Sequence, residues 1–135
     1  MDTLGETRPE GGELLAAVAT MVVGVYADHL GRGPTKARAY LNDDVMVCLL
    51  EDTMTKAERT LVASGHQTTV LALRATFQEM MGATLSESIE QLTGRRVLAL
   101  IGGSSLSPDL SSELFLLEGR RSSPRENGRA LGPSV

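Results

Sequence analysis

Residues 31–51 constrain the fold of this chain more than any other stretch. Gly33-Pro34 makes a turn, residues 36–41 form a short β-prone run, Asn42-Asp43-Asp44 makes a second turn, and Val45-Met-Val-Cys-Leu-Leu50 is a second run. Two β runs separated by a short, polar, turn-forming tripeptide read as an antiparallel hairpin. The second run is almost wholly apolar, which suits a central strand covered on both faces better than an edge strand.

The flanking segments have helical spacing. Apolar side chains recur at Leu14, Val18, Met21, Val22, Val25 and Tyr26, so residues 13–30 predict a helix, and Gly31 supplies its stop. Thr55-Lys-Ala-Glu58 has the spacing of a capping box and opens a short helix that ends near Ser64-Gly65. Residues 67–93 predict the longest helix, with a stripe through Val70, Leu73, Phe77, Met80, Met81 and Leu85 and a stop at Gly94. Residues 95–101 predict a third strand, 102–110 a polar loop containing Pro108, and 113–118 a short fourth strand.

The order α-β-β-α-α-β-β predicts an α+β fold: a four-stranded antiparallel sheet of two hairpin-like pairs, packed by three helices. Residues 1–12 read as a flexible lead, 13–118 as a single domain, and 119–135 as a disordered basic tail of Gly, Ser, Pro and Arg. With no Trp, two Phe and two Tyr, the core of that domain must be aliphatic.

Charge and composition exclude several classes. The chain carries a net charge of −4, with four Arg and one Glu in its last 17 residues. Scattered arginines on an acidic domain are expected to be solvated rather than to bind nucleic acid. Cys48 is the only cysteine, so no intrachain disulfide forms, and a buried thiol suits a reducing, cytoplasmic setting. The acidic, polar start lacks the pattern of a signal peptide. The apolar stretch from Leu14 to Val25 is shorter than the roughly 20 residues that cross a bilayer, so no direct membrane insertion is expected.

No constellation of residues announces catalysis. Gly31-Arg-Gly-Pro-Thr-Lys36 resembles a phosphate loop only superficially, because it leads from a helix into a strand and Pro34 has no N–H to offer. Arg32, Lys36 and Arg38 could still meet an anion or small ligand. Asn42-Asp43-Asp44 lacks the further ligands of a calcium loop. His29 and His66 fall at helix boundaries, away from Cys48. Gly102-Gly103-Ser104 is not a nucleophile elbow, and the serines at 105, 107, 111 and 112 have no neighbouring histidine. No catalytic residue, cofactor or metal is assigned. Met80 and Met81 form a soft apolar pair suited to the core or to an interface. Helices stacked on only one face of the sheet would leave the other face to a partner or a second copy, which motivates a homodimer.

Gly31-x-Gly-Pro-Thr-Lys-Ala-x-x-Tyr-Leu-Asn-Asp-Asp44, Leu50-Glu51 and Thr55-Lys-x-Glu-x-Thr-Leu61 together carry a family resemblance. It continues through Phe77-Gln-Glu-Met80, Ile89-Glu-x-Leu-Thr-Gly-Arg95, Arg96-Val97, Pro108-Asp109 and Phe115-x-Leu-Glu118. Over residues 13–118 the chain resembles the MpsC family of small bacterial proteins, labelled with a sodium-translocating, membrane potential-generating system. The resemblance implies a soluble, non-enzymatic accessory or regulatory subunit, acting through a membrane-protein partner. It supplies no catalytic residues. The alternative is an anion or small-ligand sensor at the turn from Gly31 to Arg38.

Overall fold

The computed structural model describes residues 8–119. The lead up to residue 7 and the tail from residue 120 lie outside the described residues. Seven elements follow in the expected order: α1 (Gly11–Leu30), β1 (Lys36–Asn42), β2 (Val45–Glu51), α2 (Lys56–Ala63), α3 (Gln67–Thr93), β3 (Val97–Leu106) and β4 (Asp109–Leu117). Local signals set most boundaries. Gly31 and Gly94 close α1 and α3 in the left-handed conformation, each returning its N–H to a carbonyl of the last turn. The Thr55–Glu58 capping box forms in full at the start of α2. Asp43 takes a positive φ of 57° in the β1–β2 turn, a conformation that Asp tolerates.

The strands form one antiparallel sheet in the order β1-β2-β4-β3. Each hairpin is local, and the two are joined by β2 pairing with β4, with Cys48 opposite Glu113. α1 packs against β1 and β2, α3 against β3 and α1, and α2 against α3. The core lies between this helical layer and one sheet face, built on Val18, Val22, Met46, Leu85, Ile89 and Phe115.

Four expectations need correction. First, residues 102–106 continue β3 and residues 109–112 begin β4, where a loop was expected. Gly102, Gly103, Ser104 and Ser105 have loop composition, but β4 stands opposite all four and satisfies their backbone groups. Only Ser107-Pro108, joined by a cis peptide bond, remains as the turn. Second, the buried stripe of α3 runs through Val70, Arg74, Met81, Leu85 and Ile89, so Leu73 and Met80 lie outside it. Third, α1 has 20 residues and is long and apolar enough, by length and composition alone, to cross a membrane. The helix begins at Gly11 and continues through Asp28 and His29, beyond the apolar stretch counted in the sequence. Here its Leu14, Val18, Val22, Val25 and Tyr26 face the core. Fourth, β2 is central, yet the helices cover only one of its faces: Met46, Cys48 and Leu50 are buried, while Val45, Val47 and Leu49 remain half-exposed.

Candidate functional site

Among the described residues, two features stand apart from the largely aliphatic core. One is a set of buried polar side chains on the helix side of the sheet. The other is the opposite sheet face.

The polar set begins at the loop that joins β2 to α2. Asp109 accepts hydrogen bonds from the Thr53 N–H (3.0 Å), the Thr53 hydroxyl (2.9 Å) and the Met54 N–H (3.0 Å). Three arginines grip the same loop by its carbonyls. Arg32 donates to Asp52 and Met54, Arg59 to Met54, and Arg74 to Thr53. Arg32 also pairs with the Asp52 carboxylate at 2.7 Å. Arg74 and Glu58 form a buried fork, with Nε to Oε2 at 2.7 Å and Nη2 to Oε1 at 2.8 Å. Burial pushes the Glu58 carboxyl up, but the Arg74 guanidinium and the Thr55 N–H outweigh it and hold the group below its ordinary range. Several residues that carry the family resemblance, among them Thr55, Glu58 and Asp109, therefore fix this loop. Their polar atoms face one another.

Glu113, on β4, is fully buried. The Tyr26 hydroxyl donates to its Oε2 at 2.7 Å, and the Gln78 amide donates to its Oε1 at 2.6 Å. Burial raises the Glu113 carboxyl above its ordinary range, while these two donors pull it down. Burial, followed by the charge of Glu113 and the hydrogen bond to it, also raises Tyr26, which keeps its phenol as a donor. The folded state thus holds the Glu113 proton more tightly than the unfolded chain does. The stability this contributes is present below about pH 4.5 and is lost as pH rises through the folded value. Glu113→Gln, which keeps a neutral group at this place, is expected to flatten the fall in urea midpoint on the alkaline side of about pH 4.5. An unchanged pH slope in that variant would show that Glu113 does not titrate in this way. Alternation along β4 could have revealed Glu113, since Glu113, Phe115 and Leu117 share one face and the last two are large and apolar.

The residues singled out in the sequence are placed as follows. Arg32 is committed to the loop. Arg38 lies 3.2 Å from Glu51, so two of the three candidate anion contacts already face carboxylates. Lys36 is exposed at the start of β1. Met80 is 57 % exposed on α3, whereas Met81 is 2 % exposed and inside the core, so the two cannot share an interface. His29 lies in the last turn of α1, with Nδ1 3.0 Å from the Val25 carbonyl, and His66 precedes the first turn of α3. Cys48 is buried, and burial followed by the charge of Glu113 pushes its thiol up to about 12. The Ser104 and Ser111 hydroxyls bond each other at 2.8 Å. Among the described residues no three His, Cys, Asp or Glu side chains come together as a metal site.

The second sheet face is different in kind. Register places Tyr40, Val47, Leu114 and Ile101 in one row across it, and Val45, Leu116 and Ala99 in the adjoining row. Leu49 lies in the next row, between Arg38 and Ser112. Ile101 is 65 % exposed and Tyr40 51 %. The charges on this face, Lys36, Arg38 and Glu51, gather at the corner where β1 begins and β2 ends. The sequence implied such a face only conditionally, because the side on which the helices stack depends on tertiary packing.

One helical layer on one side of an antiparallel sheet, with a polar-clasped loop and an apolar far face, defines this protein as a two-layer α+β domain. The family described as Na+-translocating membrane potential-generating system (MpsC) matches residues 10–119, and the chain belongs to that family. Membership associates it with that Na+-translocating system. No curated protein and no solved structure matches the chain.

Proposed function

We propose that this protein is a non-enzymatic accessory or regulatory module of a membrane potential-generating, ion-translocating system, working in the cytoplasm through a membrane-protein partner. The single observation that carries this reading is the uncovered apolar sheet face. Contiguous exposed apolar surface beyond a few hundred Å² marks association sites far more often than it occurs idly on a monomer. The buried polar groups support the same reading, since they satisfy one another instead of lining a cleft. Contact with the membrane through a partner, rather than by α1, is supported by the work α1 does inside the domain. Its Val18 and Val22 are fully buried, and Tyr26 reaches Glu113. Extracting α1 would open the core and strand that carboxyl. The anion-sensing alternative would require Arg32 and Arg38 to leave Asp52 and Glu51.

Affinity purification of the tagged full chain from its host, after gentle detergent solubilisation, tests the proposal. Stoichiometric recovery of an ion-translocating membrane protein is expected. Recovery of this chain alone would overturn the accessory role, and a rise in Tm with inorganic phosphate would move the reading to the sensor.

A further inference from the structure

We infer that a second copy of this chain covers the open sheet face, forming a two-fold dimer with two sheets packed face to face between outer helical layers. This rests on the interaction-module reading and names the first occupant of its surface. Three observations carry it.

The first is area. Four strands about 4.8 Å apart, with seven paired residues rising about 3.3 Å each, give a face on the order of 450 Å². Two such faces bury on the order of 900 Å² as a flat footprint, and side-chain relief raises the accessible area toward the roughly 1,200–2,000 Å² of specific interfaces. The second is composition. Tyr40, Val45, Val47, Leu49, Leu114 and Ile101 make a continuous apolar floor. It has the make-up of the inner faces of a β-sandwich, whose sheets pack about 10 Å apart.

The third is the distribution of charge and size, which selects one symmetry. An isologous dimer must place the same patch against itself. With the two-fold axis parallel to the strands, β1 of one copy lies over β3 of the other. Tyr40 then meets Ile101, and the Arg38 and Lys36 rows meet the rows of Gly103 and Ser105. The long basic side chains cross the smallest residues of the face, which leaves room for them. With the axis perpendicular to the strands, β1 would lie over β1 with the rows reversed, so Arg38 would fall on Tyr40 and the Lys36–Glu51 row on the row of Val45 and Leu116, setting charges on apolar side chains.

The test is the mass of the full chain by light scattering, together with site-directed cross-linking. Wild type is expected at twice 14.4 kDa and Ile101→Lys at 14.4 kDa, with the far-ultraviolet spectrum unchanged because Ile101 is largely exposed. Tyr40→Cys mixed with Ile101→Cys is expected to cross-link through a short bismaleimide far more than either variant alone. Cys48 is buried and adds no background. A monomeric wild type, or cross-linking of Tyr40→Cys to itself instead, would overturn the inference. The two proposals fail separately. A monomer that loses its membrane partner on Ile101→Lys overturns the second copy and keeps the module. A dimer that recovers no membrane protein keeps the second copy and overturns the accessory role.

Discussion

Arg74→Leu is expected to destabilise the protein by about 3–5 kcal/mol, read as a lower urea midpoint at an unchanged m-value. The guanidinium makes two hydrogen bonds to Glu58 and one to the Thr53 carbonyl, all between 2.7 and 2.8 Å. Leucine fills part of the space but leaves a carboxylate 2 % exposed without its counter-charge, and a buried carbonyl without a donor. Most of the loss comes from that uncompensated charge, not from the net value of the pair. A second substitution separates the two. Glu58→Gln keeps a side chain able to serve the capping box while removing the charge, so Arg74→Leu/Glu58→Gln should recover part of the stability. Additive losses would locate the cost elsewhere. The pH dependence gives an independent check. The Glu58 carboxyl is held below its ordinary range, so its contribution is present above about pH 4.5 and fades as pH falls through the folded value. Arg74→Leu should flatten that acid limb. The sign is opposite to that expected for Glu113, and the two groups are thus distinguishable in one titration.

Gly102→Ala carries the second large effect, about 1–3 kcal/mol. A Cβ at Gly102 would come within 3.0 Å of the Gln78 side-chain amide, and that amide is held on Glu113. The methyl group must displace Gln78, and a fully buried carboxyl then loses one of its two side-chain donors. Gln78→Ala removes the obstacle in advance. Adding Gly102→Ala to that variant should therefore cost little, and equal costs in both backgrounds would show that close approach is not why glycine stands there. The same glycine shows where sequence reading stops. Gly102-Gly103-Ser104-Ser105 has the composition of a loop, yet it is strand, because β4 pairs with it and α3 leaves no room for a larger side chain at Gly102.

Much of the candidate surface was legible residue by residue but not as a surface. The apolar character of Val45, Val47 and Leu49 is plain in the sequence, and alternation assigns them to one face. What alternation does not state is which face meets the helices. Met80 and Met81 pose the same question. Adjacent on a helix, they point about 100° apart, and only the seating of α3 on β3 and α1 decides that Met81 enters the core. Arg74 replaces Leu73 in the buried stripe for a comparable reason: Glu58, on a different helix, supplies the counter-charge that lets an arginine be buried.

The sequence by itself determined the order of elements, the β1–β2 hairpin, the glycine stops of α1 and α3, the capping box of α2 and a largely aliphatic core, to which Phe115 and Tyr26 add. Each depends on a periodicity, or on backbone groups within a few residues of one another. Tertiary structure alone decided the β2–β4 pairing, the extension of β3 through its glycines and serines, the burial of Arg74, the Tyr26 and Gln78 donors that meet Glu113, and the choice of the sheet face left open. These depend on donors, counter-charges and packed surfaces brought from distant parts of the chain, and a local pattern carries no record of them.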